Sequence, residues 1–221
     1  MREEIQGIVS AALWETGALK VSSHDPFILA SGNRSPVYVD CRVLISYPWA
    51  RGIVTACAHW LYHAEHMDAD FIAGGETAGI PFAAWLAERV GKPFAYVRKE
   101  PKGHGISGQV VGCVPPGSRV LLYEDLITDG GSKLAFVKGL RQAGAEVADC
   151  LVMFDRQQGG ASALQQSGVR LHRLTDLRSC LELGAATGRM SPADDHSVQA
   201  YLADAAAWHD QRGYEYHEPR R

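Results

Sequence analysis

Cysteine is scarce and unpatterned in this chain of 221 residues. Cys41, Cys57, Cys113, Cys150 and Cys180 are odd in number and nowhere spaced CxxC. That argues against a disulfide framework and for reduced thiols in a cytoplasmic protein. Excess charge of either sign is lacking as well. The formal net charge is −3, so no global basic field awaits nucleic acid. No apolar run approaches the roughly 18 to 20 residues of a membrane span. The N-terminal MREEIQGIVSAALWETG starts acidic, without the basic and long apolar regions of a secretory signal. Without secretion, the sequon Asn33-Arg34-Ser35 has no meaning for glycosylation. Internal repeats and low-complexity linkers are absent too. What remains is 46% hydrophobic and 21% charged, enough for a sizeable core in one domain.

Apolar periodicity divides the chain into alternating strands and helices. Residues 3–16 read as a helix with Ile5, Ile8, Val9, Ala12 and Leu13 on one face. Short strands follow at 27–29 and 37–39, joined by a turn through Ser31-Gly32-Asn33. A helix from Pro48 to about Glu65 carries proline in its first turn, where it is tolerated. Strands at 71–73, 94–97, 120–123, 147–154 and 169–171 alternate with helices at 80–90, 132–143, 161–167 and 176–183. A last helix covers about 192–209, and the tail beyond it is polar. Residues 99–110, KEPKGHGISGQV, have no apolar period and read as a mobile loop. The alternation predicts an α/β fold with a parallel, doubly wound sheet.

One stretch carries chemistry. In VLLYEDLITDGGSK, residues 120–133, a core strand runs into the adjacent carboxylates Glu124 and Asp125. A small, hydroxylated loop, Thr128 to Ser132, then precedes a helix. Ligands of open α/β sheets sit beyond the carboxyl ends of strands, where this loop is expected. Gly130 and Gly131 open backbone conformations closed to other residues. Their N–H groups, with those of Asp129 and Ser132, suit an anion nest at the positive end of the helix. Thr128 and Ser132 add hydroxyl donors. Carboxylates touching a phosphate would repel it, so the acidic pair fits something attached to the phosphate. Vicinal ribose hydroxyls qualify, because ionised carboxylates only accept. The spacing matches neither a Walker A loop nor G-x-G-x-x-G. A polar strand exit with ordinary helix capping is the plainer reading of the acidic pair alone.

This stretch resembles the phosphoribosyl pyrophosphate (PRPP) motif of type I phosphoribosyltransferases. FILASGNRSPVYVDCR (27–42), AGGETAGIPFAAWLAERVGKP (73–93), YVRKEPKGHG (96–105) and FDRQQGG (154–160) look like orotate phosphoribosyltransferases, in matching order and spacing. The resemblance covers about residues 15–185. It implies the type I phosphoribosyltransferase fold, a mainly parallel central sheet flanked by helices with a small N-terminal hood. The whole chain, 1–221, would be one domain: hood at about 1–45, α/β core at 46–190, C-terminal helix and tail at 191–221.

The resemblance also implies the reaction and its residues. Orotate and PRPP would give orotidine 5′-phosphate and pyrophosphate, in pyrimidine synthesis. Glu124, Asp125, Leu126, Ile127, Thr128, Asp129, Gly130, Gly131 and Ser132 would hold the ribose 5-phosphate of PRPP. Arg98, Lys99, Lys102 and His104 match the family pattern Arg-Lys-x-x-Lys-x-His of a loop that clamps pyrophosphate and reaches into the partner subunit's site. Lys102 and Asp125 would be the catalytic pair, with Mg2+ neutralising the departing pyrophosphate. Thr128 and Arg156 would bind orotate, and a guanidinium suits a carboxylate because it grips bidentately. A surface ion pair with Asp155 is the plainer reading of Arg156. The implied assembly is a cytoplasmic homodimer with shared sites, without nucleic acid or membrane.

Departures leave room for altered base specificity: Ala30 stands where many members carry lysine, and Thr77-Ala78 where some carry Tyr-Lys. A purine-specific type I enzyme is opposed by the DRQ segment and the hood-like N-terminus. A nucleotide-sensing RNA-binding regulator is opposed by the charge of −3. His59, His63 and His66 share a helical face but lack an HExxH pattern, so a solvated or interfacial stripe is expected. Trp49, Trp60, Trp85 and Trp208 read as core or interface.

Overall fold

The computed structural model describes residues 1–29, 31–100 and 108–218. Its centre is a six-stranded sheet in the order β10-β9-β8-β5-β6-β7, with every neighbouring pair parallel except β6 and β7. The strands are β5 (Phe71–Gly75), β6 (Phe94–Val97), β7 (Val110–Val111), β8 (Arg119–Ile127), β9 (Glu146–Asp155) and β10 (Arg170–Asp176). The inner strands β8 and β9 are almost continuously buried, as a parallel sheet covered on both faces requires. Chain order reverses between β5 and β8, which makes their carboxyl ends the crevice of the sheet.

Two apolar layers cover the sheet. On one face α1 (Arg2–Glu15), α2 (Pro48–Ala64), α3 (Gly79–Val90) and α6 (Leu177–Ala186) share a core with Leu121, Tyr123 and Leu151. On the other, α4 (Gly131–Gln142) and α5 (Gly160–Gln166) pack on Val120, Leu122, Cys150 and Val152. Local chemistry sets the helix ends. Pro48 opens α2, and Gly91, at φ 65°, closes α3 in the left-handed region that glycine enters without cost.

The expected helices and core strands form, with differences at their ends. The strand predicted to stop at Tyr123 continues through the acidic pair to Ile127, because β9 pairs with it that far, Glu124 opposite Val152 and Leu126 opposite Phe154. β10 is likewise longer than predicted, held by its parallel register on β9. The predicted 27–29 and 37–39 strands do not pair with each other. β2 (Phe27–Ile28) pairs with β3 (Arg34–Ser35), and β4 (Val37–Val39) pairs with β1 (Leu19–Val21), an unpredicted strand. A 3-10 turn, Cys41–Ser46, was also unpredicted. The single helix expected at 192–209 is two, α7 (Pro192–Ala203) and α8 (Ala205–Asp210). Asp204 breaks it in an extended conformation, and its carboxylate caps α8 by accepting the Ala207 N–H at 2.9 Å.

Candidate active site

Strand alternation sends the two adjacent carboxylates to opposite faces of the sheet. Glu124 follows Leu122 toward α4, and Asp125 follows Tyr123 toward Cys41 and Arg42. Glu124 is 3% exposed and fully engaged. Its Oε1 accepts the Gly75 N–H at 2.6 Å, and its Oε2 lies 3.1 Å from Lys133 Nζ. A Cβ at Gly79 would overlap the same Oε1, so glycine there lets the 75–79 loop lie on the carboxylate. Glu124 thus joins the end of β5, the end of β8 and the start of α4 at one point.

Burial pushes both carboxyl groups above the usual carboxylate range, and the Lys133 charge is the strongest influence pulling them back. Asp125 is 9% exposed, with its backbone neighbourhood and Arg42 adding smaller pulls. Lys133, itself buried, also donates to Ser132 Oγ at 3.3 Å.

Gly130, at φ 91°, turns the chain from β8 into α4. The Asp129 carboxylate accepts the Gly131 N–H at 3.0 Å, one of the donors expected in the anion nest. Thr128 is half-buried and Ser132 exposed at the helix start. Leu126 packs against the apolar core and Ile127 is fully buried, so these two motif residues present backbone rather than side chains.

Arg156 follows β9, with its N–H donated to the Ile127 carbonyl at 2.9 Å. The plainer expectation of an ion pair with Asp155 does not hold. Asp155 is turned to Arg173, at 3.8 Å, and accepts the Gln157 N–H at 2.7 Å. The guanidinium is pulled below its usual range by burial, with Tyr201, Cys41 and Tyr38 as the groups that oppose the shift. Arg156 and Thr128 share a cavity of about 900 Å3. The β2–β3 hairpin roofs it through Asn33 and Ser35, and α6 and the C-terminal segment close it.

Arg98 and Lys99 stand where the 99–110 loop leaves β6. Arg98 donates its N–H to the Gln109 carbonyl at 2.8 Å, and Lys99 donates its N–H to Glu76 Oε2 at 3.0 Å. The loop stem is therefore tied to the 75–79 segment beside Glu124. Lys102 and His104 lie outside the described residues, as does Ala30.

The phosphoribosyl transferase domain family matches residues 50–164. An orotate phosphoribosyltransferase of Cereibacter sphaeroides strain KD131 is 44% identical over 215 residues, 96% of this chain and 93% of that protein. The chain belongs to the orotate phosphoribosyltransferase family. Among solved structures, an orotate phosphoribosyltransferase from Aeropyrum pernix superposes with a TM-score of 0.68 at 32% identity, covering 79% of this chain and 97% of that one. The Mycobacterium tuberculosis H37Rv orotate phosphoribosyltransferase, solved in complex with PRPP, gives 0.63 at 25% identity, over 81% and 98%.

Sequence reasoning missed Lys133, the buried partner of Glu124. A signal was present: Lys133 stands on the stripe formed by Phe136, Val137 and Leu140, where an apolar residue belongs. Tyr201 and Tyr216 in the cavity wall gave no such signal. The histidine stripe ends early. α2 stops at Ala64, and His66 lies beyond it at φ 51°, leaving His59 and His63 as neighbours with ring centroids 4.7 Å apart. Trp208 is core, whereas Trp49 and Trp60 are exposed on α2.

Proposed function

We propose that this orotate phosphoribosyltransferase joins orotate to the ribose of PRPP, releasing pyrophosphate and forming orotidine 5′-phosphate for pyrimidine synthesis. The observation that carries this is the cavity shared by Thr128, from the PRPP motif, and Arg156, a half-buried guanidinium that forms no ion pair among the described residues. A cation partly withdrawn from water without a partner is unfavourable, and a planar carboxylate gripped bidentately relieves it.

In this reading Asp125 accepts ribose hydroxyls, while the N–H groups of Asp129, Gly130 and Ser132 and the Thr128 and Ser132 hydroxyls hold the 5-phosphate. Glu124 keeps that cradle against the 75–79 loop, whose Thr77 and Ala78 N–H groups meet pyrophosphate. The developing oxocarbenium-like centre needs no nucleophile from the protein. Arg98, Lys99, Lys102 and His104 stabilise the departing pyrophosphate, and closure of their loop excludes water that would hydrolyse the sugar. Among the described residues no three histidine, cysteine, aspartate or glutamate side chains converge as a metal cage. Magnesium enters the proposal held mainly by PRPP's own oxygens. Bound there, the ion would neutralise charge on the leaving group.

A homodimer with shared sites is part of the proposal. Trp49 and Trp60, 47% and 37% exposed, lie on one side of α2 and suit an interface. Cytoplasmic placement is proposed on the five unpaired cysteines. No helix among the described residues is long and apolar enough to cross a membrane.

An absorbance assay of orotate consumption tests the function. PRPP-dependent loss of orotate, with orotidine 5′-phosphate as product, is expected. Turnover of a purine with orotate untouched would replace the reading by the purine enzyme.

A further inference from the structure

The C-terminal segment lies outside residues 50–164, the part that matches the phosphoribosyl transferase domain, yet it is built into the cavity. Its attachment is specific. His209 is fully buried, and its Nε2 accepts the Arg34 N–H at 3.0 Å. Nδ1 consequently carries the ring proton and donates to the Ala205 carbonyl at 2.6 Å. The Asn33 amide makes two bonds to the backbone of His217, donating to its carbonyl and accepting its N–H, both at 2.7 Å. The Arg34 guanidinium lies 4.7 Å from the centre of the Tyr214 ring. All these contacts grip the hairpin that roofs the cavity. A further tie, the Ser23 N–H to Asp194 Oδ1 at 2.8 Å, fixes the start of α7 to the same end of the molecule.

Held in this way, α7 presents Tyr201 to the cavity. The Tyr201 ring packs edge-on against buried Trp208 at 5.3 Å, which fixes its direction. Tyr201 and Arg156 line the same cavity, whose wall also carries Glu182 and Asp195, and Tyr201 is foremost among the groups that oppose the effect of burial on the guanidinium. A planar anion seated on Arg156 meets this ring or its hydroxyl.

We propose that the C-terminal segment is a wall of the base pocket and that Tyr201 is a specificity-determining residue for the pyrimidine carboxylate. The inference rests on the orotate reading above. The Tyr201 hydroxyl donates to the bound base or its carboxylate, and the clasp of His209 and Asn33 sets the height of the roof over it.

Steady-state kinetics of Tyr201→Phe and Tyr201→Ala test the proposal. The phenylalanine variant keeps the ring on Trp208 and so keeps the fold. Its KM for orotate should rise about tenfold to a hundredfold, the scale of one hydrogen bond to a charged group, with kcat and the KM for PRPP within about twofold. The alanine variant should show a larger rise with the same selectivity. A merely structural role would move both KM values and the thermal midpoint together. Unchanged orotate KM in the phenylalanine variant, or equal rises for both substrates, overturns the inference. Wild-type protein that leaves orotate unconsumed overturns the functional reading instead, so the two failures are separable.

Discussion

Replacing Lys133 by methionine isolates the tie that organises the site. Met fills about the same space, so packing against Phe136 and Leu140 is largely kept and the charge alone is lost. Glu124 would then be a buried carboxylate with the Gly75 N–H as its remaining close partner. Breaking a buried pair by removing one member costs about 3–5 kcal/mol, because the other charge is left uncompensated. The side chains here are 9% and 4% exposed, which places the pair in that regime rather than among surface pairs. In a domain of this size the loss corresponds to a fall of about 6–20 °C in thermal midpoint. Its dependence on pH follows from the carboxyl. Burial already raises Glu124 above its unfolded value, and removal of Lys133 raises it further. A carboxyl raised by folding contributes stability below its unfolded range and loses it as pH rises through the folded value. The variant should therefore be nearer wild type at pH 5 than at pH 8. Urea unfolding at both values measures this, and adding Glu124→Gln should recover most of the loss at pH 8. A single variant within about 1 kcal/mol of wild type at pH 8, or no recovery in the double variant, would refute the argument.

Asp125→Asn should lower kcat/KM for PRPP by about 1–3 kcal/mol, the scale of a hydrogen bond to a charged group. Because burial also raises the Asp125 carboxyl, the same variant should melt higher than wild type at pH 8 without ligand and lose that advantage near pH 4; differential scanning fluorimetry reads the sign. Arg156→Ala should raise the KM for orotate far more than that for PRPP, and equal rises would misplace the residue. Co-refolding equal amounts of Lys102→Ala and Asp125→Asn should restore about a quarter of wild-type activity if the loop crosses to the partner subunit. Heterodimers that form without recovered activity would confine Lys102 to its own site.

Much of this site is legible in a few local stretches. The apolar run, acidic pair, Gly130-Gly131 turn and following helix are neighbours in the chain, so their conformations depend on adjacent residues. Arg156 is legible in the same way, at the exit of a long buried strand. Short ladders were hidden. Two or three residues such as Leu19–Val21 carry too little periodicity to be seen until Val37–Val39 lies beside them. Asp204 was hidden as well, since a helix break by one extended residue leaves the apolar period on both sides intact.

By itself, then, the sequence determined the α/β alternation, the PRPP motif and membership of a phosphoribosyltransferase family, because each resides in short-range pattern. Only the tertiary structure decided what the two adjacent carboxylates do. The register of β8 on β9 sends Asp125 to one face and Glu124 to the other, onto Gly75 and Lys133. It alone also built the wall of the cavity that holds Arg156, by bringing His217 to Asn33 and His209 to Arg34. Those partners lie more than 170 residues apart in the chain, and their pairing depends on how the packed layers bring the two ends together.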